Sequence, residues 1–245
     1  MWYVTSPNGK KSASRVLDVC EQIRRDILAT RLAPGERLRI NPLCERFGVS
    51  LSVVREALTR LAEQRLVRSE PQLGFSVAPL DREGLIDLTN VRVQVENLAL
   101  TWAIERAGLS WETSVVAALY ALGKTPQHLP DNAGEMSEEW ASAHAAFHTA
   151  LAAGCGSPLL LDIRAGLYDA SEIYRRWAQP VVREARDVHA EHTAIAEAAL
   201  ERDVARATDL LERHLRRTTE ILLTSGLMSG DPSGEAADPA ASSAG

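Results

Sequence analysis

Phe47-Gly48-Val49-Ser50-Leu51-Ser52-Val53-Val54-Arg55-Glu56-Ala57-Leu58 is the stretch that decides the fold of the front half of this chain. Gly48 supplies a tight turn, and Ser50 can cap the helix that follows, which the spacing carries to about Gln64. Val54, Ala57, Leu58 and Leu61 form its inward stripe, leaving Ser52, Arg55, Thr59 and Arg60 on other faces. Before the turn, Asn41 as cap and Pro42 at the first helical position start a short helix that ends near Phe47. Further upstream, Val16, Val19, Cys20, Ile23 and Ile27 repeat at helical spacing over Ala13 to Thr30, and Ala33-Pro34-Gly35 ends that run. Downstream, Leu66 to Ser69 and Phe75 to Ala78 read as two strands around Pro71-Gln72-Leu73-Gly74, a small wing. Two short helices, a tight turn and a hairpin make a winged helix-turn-helix, whose third helix can enter a major groove.

Charge supports that reading. Residues 1–80 hold 13 basic and 8 acidic residues, a balance of +5, whereas the remainder stands at −11. A basic front on an acidic body suits a front half that meets a polyanion. The length of 245 residues accommodates two compact domains, expected at 1–80 and 81–224, with a disordered Gly-, Ser-, Pro- and Ala-rich tail over 225–245. No run of eighteen uncharged apolar residues is present, so no membrane span is expected. The first fifteen residues lack the apolar core of a signal peptide. Cys20, Cys44 and Cys155 are odd in number and far apart, which suits small core residues in a reducing cytoplasm.

From Arg82 onward no useful strand alternation appears, so the back half is expected to be all-helical. Asp81 to Gly108 reads as a helix burying Leu88, Val91, Val95, Leu98 and Trp102. Ser110 to Leu122 follows, then a loop from Gly123 to Gly134. Ser137 starts a helix that stops near Gly154-Cys155-Gly156, and Ser157-Pro158 starts another that Gln179-Pro180 breaks. A further helix ends about Arg202, and Asp203 caps the last, Val204 to Leu223. Within this box His144 and His148 lie one turn apart, in line with Trp140 and Leu151. His192 lines up with Val188, Ile195 and Ala199, and His214 lies in the stripe Ala207, Leu211, Leu215, Ile221. Four imidazoles therefore face inward from three helices. A buried imidazole needs a hydrogen-bond partner or a metal, and the pattern leaves both open. His189, one turn before His192, is a possible substitute ligand.

The front residues carry a resemblance. Leu32-Ala33-Pro34-Gly35-Glu36-Arg37-Leu38, Phe47-Gly48-Val49-Ser50, Val54-Arg55-Glu56-Ala57-Leu58 and Leu61 together resemble the DNA-binding domain of the GntR family of bacterial repressors. That resemblance implies DNA contacts by Ser50, Ser52 and Arg55 on the recognition helix and by Gly74 at the wing tip. Leu51 stands where the family usually has Arg, Val53 where it has Pro, and Leu73 where it often has a polar residue. His144-Ala145-Ala146-Phe147-His148, Glu191-His192 and His214-Leu215 resemble the FadR-type (FCD) ligand-binding domain. The resemblance implies a divalent ion held by three His and one Asp beside a small effector, with His144 here in the place of the Asp. Four imidazoles at His144, His148, His192 and His214 favour zinc or nickel over harder ions. Val91-Arg92-Val93-Gln94-Val95-Glu96 resembles the family's Arg-x3-Glu, and a small carboxylate paired with Arg92 is the expected effector; an intrahelical pair with Glu96 is the plain alternative.

The expected protein is therefore a cytoplasmic, homodimeric regulator that binds double-stranded operator DNA, with no membrane partner and no catalysis. Two alternatives follow from the same residues. The ion itself can be the signal, without any organic effector. A helical metal-dependent hydrolase is disfavoured, because the zinc-protease motif needs Glu directly after its first His and Ala145 stands there.

Overall fold

The computed structural model describes residues 7–29, 31–129, 132–182 and 186–224. In the front half, α1 (Pro7–Leu28), α2 (Ile40–Phe47) and α3 (Leu51–Glu63) pack together beside a small sheet. That sheet joins β1 (Arg37–Leu38), β2 (Val67–Glu70) and β3 (Gly74–Val77) in the antiparallel order β1-β3-β2. The β2–β3 register pairs Val67 with Val77 and Ser69 with Phe75, so Val67, Phe75 and Val77 turn into the core. β1 is too short to give an alternation in sequence; only its pairing with Phe75 and Ser76 makes it a strand.

Gly48 adopts φ +61°, the left-handed conformation that lets α2 end and α3 begin almost at once. Val54, Ala57, Leu58 and Leu61 are all fully buried, joining Ile23, Ile27, Leu66 and Val77 in one core. Buried Asp26 ties the helices together by accepting from Arg31 at 2.8 Å and pairing with Arg46 of α2 at 2.5 Å. Asn41 does not cap α2. The helix starts two residues earlier than expected, at Ile40 with Arg39 as its flank, and Pro42 falls inside the first turn, where its missing N–H is still tolerated.

The back half is built from α4 (Arg82–Arg106), α5 (Leu109–Lys124), α6 (Glu138–Ala153), α7 (Pro158–Val182), α8 (Val188–Leu200) and α9 (Val204–Thr224). Most starts follow the sequence signals: Asp81, Ser137, Ser157 and Asp203 each accept a backbone N–H from the third residue of their helix, and Asp187, which the sequence did not mark, does the same for α8. Its core gathers Val93, Leu100, Trp111, Phe147, Ile195 and Leu211.

Three expectations fail here. α4 turns a different face inward: Val91 and Leu98 are exposed, Val95 and Trp102 half-buried, while Val93, Glu96, Leu100 and Ala103 are buried. A helix that is apolar on several sides gives no period from which to choose, and packing against α6, α7 and α9 decides. The loop after α5 contains a ribbon, β4 (His128–Leu129) with β5 (Asn132–Met136). α7 runs through Pro180 and ends two residues beyond it, at Val182. The tail at 225–245 lies outside the described residues.

Candidate functional site

His144 and His148 on α6, His192 on α8 and His214 on α9 converge in the back half. One nitrogen from each lies within 4.8 Å of all the others, and all four rings are buried. A first coordination sphere of imidazole nitrogens is about 4 Å across, twice the usual metal–nitrogen distance, so the set fits one ion after small ring movements. Burial pushes all four imidazoles below the usual histidine range; repulsion from neighbouring histidines adds to it for His144, His148 and His192, whereas Glu191 works against it at His214. The rings are therefore neutral, the form that donates a lone pair.

Their surroundings differ. His144 stacks on Trp140 with centroids 4.8 Å apart, and its Nδ1 lies 3.0 Å from the Tyr168 hydroxyl. His214 Nδ1 lies 2.8 Å from the Glu191 carboxylate, which Arg186 also grips. Burial works to raise Glu191, but hydrogen bonds from His214 and Arg186 prevail and hold it at about 2. Arg186 also lies 2.9 Å from His214 Nδ1; an Nδ1 proton donated to the ionised Glu191 would leave Nε2 free, the outer-shell arrangement of a metal-ligating histidine. Both ring nitrogens of His148 and Nε2 of His192 are buried with no hydrogen-bond partner among the described residues. Unsatisfied buried nitrogens are costly, and a bound ion or other polar group would satisfy them. His189 is exposed, its ring against Gly123 of α5, and takes no part in the cluster.

A cavity of about 60 Å³ adjoins the imidazoles, lined among others by Arg92, Ser171, Arg175 and Thr218. Arg92 donates to Ser171 Oγ at 2.7 Å, lies 5.0 Å over the Tyr168 ring, and is 3.4 Å from Glu96. Glu96 is held more closely by buried Arg164, at 2.6 Å. The plain Arg92–Glu96 pair is thus only part of what Arg92 touches, and its guanidinium borders the cavity.

One helix joins this region to the front half. On α7, Tyr168 meets His144, the next residue Asp169 accepts from Arg24 of α1 at 2.6 Å, and Ile173 is buried in the front core.

On the front half, Ser50, Ser52, Arg55, Thr59 and Arg60 are all exposed along and just before α3. Ser50 flanks the helix without a capping bond, its hydroxyl instead 2.9 Å from that of Ser52. Arg60 pairs with Glu56 at 3.0 Å, whereas Arg55 has no ion pair among the described residues. Gly74 opens β3 at φ +88°, a conformation the wing turn needs and other residues resist.

Residues 15–77 match the gntR family of bacterial regulatory proteins, and residues 87–217 match the FCD domain. The chain belongs to the GntR family. It is 36% identical over 203 residues to the HTH-type transcriptional repressor GlaR of Escherichia coli (strain K12), covering 81% of this chain and 91% of that protein. It is 34% identical over 208 residues to the HTH-type transcriptional regulator BphR of Paraburkholderia xenovorans (strain LB400), covering 85% of each. In fold it is similar to a GntR transcriptional regulator from Rhodococcus sp. RHA1, with TM-score 0.69 and 23% identity over 86% of this chain and 98% of that one. E. coli McbR/YncC superposes with TM-score 0.67 at 20% identity, over 86% of this chain and 98% of that one.

This GntR-family chain is accordingly a DNA-binding transcriptional regulator and not an enzyme, so the hydrolase alternative falls. No helix among the described residues is long and apolar enough to cross a membrane. Three residues of the site escaped the sequence: Tyr168, Glu191 as a partner of His214, and Arg164. Each acts across helices far apart in the chain, and no local spacing marks such a contact.

Proposed function

We propose that this regulator is a repressor, that a divalent ion, zinc or nickel, is held by His144, His148, His192 and His214, and that a small carboxylate bound beside it controls operator binding. The observation that carries the reading is the convergence of four neutral buried imidazoles, three of whose nitrogens lack a hydrogen-bond partner among the described residues. When bound, the ion would offer an open position to an anionic ligand. The chain's own part is to orient the imidazoles through Tyr168 and Glu191 and to present Arg92, whose forked donors suit a carboxylate. A cavity of about 60 Å³ restricts that ligand to a few heavy atoms next to the imidazoles. The name of the similar E. coli protein GlaR, a repressor, supports the sign of regulation.

The coupling runs along α7. A ligand that displaces Tyr168 displaces Asp169 with it, and so strains the contact with Arg24. Operator binding as a homodimer follows from the small area one winged domain can offer. Leu109 and Tyr120 of α5, 76% and 68% exposed, lie on a face that a second copy can cover.

The test is elemental analysis of unchelated protein, followed by operator-binding titrations with a panel of small mono- and dicarboxylates on wild type and Arg92→Ala. One ion per chain and a carboxylate that releases operator only from the wild type are expected. Absence of stoichiometric metal would overturn the ligand set. Release by the metal titration alone, unaffected by every carboxylate, would make the ion the signal.

A further inference from the structure

Leu51 occupies the first position of α3 and is half exposed, at 50%. It takes no part in the front core, even at its margin, where Val49 and Phe47 do pack. Its neighbours on the surface are polar: Ser50, Ser52 and, one turn further along the same face, the exposed Arg55. In a helix-turn-helix the N-terminal residues of the second helix are those that meet base edges. Leucine offers no donor or acceptor, and the major groove presents a single apolar group for it to touch, the 5-methyl of thymine.

We propose that Leu51 is a specificity-determining residue that reads a thymine methyl group in each operator half-site, while Arg55, deeper along α3, supplies the polar readout. Apolar contact with the methyl removes from water a side chain that the fold leaves exposed. The proposal rests on DNA binding by α3 and is independent of the metal and of the effector. Leu73, at the wing tip and 57% exposed, is the internal comparison. A wing that lies along the minor groove meets no thymine methyl, so Leu73 is expected to be blind to it.

The experiment begins by selecting bound duplexes from a random pool with the full-length protein. Each thymine of the selected site is then replaced in turn by deoxyuridine, which removes only the methyl group. Wild type is expected to lose about fourfold in affinity at one thymine per half-site, the value of one buried methyl-sized group. Leu51→Ala should bind the thymine and uracil versions equally, and Leu73→Ala should keep the wild-type preference. A melting curve checks that Leu51→Ala is folded, which its exposed position favours. A half-site without thymine, a uracil scan without effect, or a preference that survives Leu51→Ala would each overturn the proposal. If no sequence is enriched and Arg55→Ala binds random duplex as well as wild type, the assignment of α3 to DNA fails first, and this inference fails with it.

Discussion

The two halves of this regulator handle polar groups in opposite ways. On α3, the charges stand in water: Arg60 and Glu56 pair across one helical turn with both side chains about half exposed, and Arg55 has no ion pair among the described residues. In the back half, Glu96, Arg164, Glu172 and four histidines are buried; the charged groups pair with another helix or the next turn, and His144 and His214 meet Tyr168 and Glu191. α3 thus keeps its charges available to an outside partner, and the buried network of the back half keeps its charges committed. A surface built this way tolerates substitution in the free protein and responds in the complex; a buried network does the reverse.

Paired substitutions break that contrast most sharply. Glu96→Ala strips Arg164 of its 2.6 Å partner and leaves a buried guanidinium uncompensated. The expected loss is about 3–5 kcal/mol in denaturant unfolding. Glu56→Ala removes an exposed pair one turn apart and should cost about 0.5 kcal/mol or less. Equal losses would mean that burial of the back-half charges carries no energetic weight.

Metal removal tests the same region by another route. An ion that binds only the folded chain adds about 2.7 kcal/mol at a hundredfold excess over its dissociation constant. Chelation should therefore lower the melting temperature of wild type and leave a His148→Ala, His192→Ala double variant unmoved. The chelated protein should also be acid-sensitive. Burial lowers the folded-state pKa of His144, His148 and His192 well below that of the unfolded chain. Below about pH 6.5 the unfolded chain then binds protons that the folded one refuses, so stability falls as pH falls, by up to about 1.4 kcal/mol per unit for each histidine. A flat profile between pH 7 and 5 would contradict neutral buried rings.

The legibility of the two halves in sequence follows the same contrast. The winged helix was readable because local rules determine it: a left-handed Gly48, a one-sided stripe on α3, and a two-stranded wing closed by Gly74. The four inward histidines were readable because each lies in an apolar stripe at helical spacing. The face of α4 was not, since Val91, Val93, Val95 and Leu98 surround the helix and only its neighbours choose among them. Tyr168 and Glu191 were invisible for a related reason: their partners, 24 and 23 residues away, are set by how α6, α7, α8 and α9 cross.

On the front surface, Arg55→Ala should weaken operator binding by about 1–3 kcal/mol if its free guanidinium reaches a base edge, and binding should fall steeply with salt. Thermal stability should stay within about 0.5 kcal/mol of wild type, as expected for an exposed side chain. The combination matters more than either value, because a joint loss of stability and binding would place Arg55 in the fold and remove it from the interface. Arg55→Ala is therefore scored by melting and by fluorescence anisotropy on the same preparation.

The smallest effect concerns the junction of the two halves. Arg24 and Asp169 form a pair 2.6 Å long with each side chain about a quarter exposed, so its contribution to stability is modest, below about 1 kcal/mol. Its position gives it a second role. Asp169 follows Tyr168 on α7, so the residue touching His144 and the residue touching the DNA-binding half are consecutive and cannot move independently. Arg24→Ala should leave operator affinity of the ligand-free protein and ligand affinity of the isolated regulator close to wild type. What should shrink is the difference between them: the drop in operator affinity that ligand causes should lessen by about 0.5–2 kcal/mol, the size typical of a residue on a coupling route. Because coupling is reciprocal, operator DNA should also weaken ligand binding less in the variant than in wild type. Both differences can be read from one four-cornered titration of protein, ligand and DNA. An Arg24→Ala protein that responds to ligand as strongly as wild type would show that α7 holds the two halves together without carrying the signal.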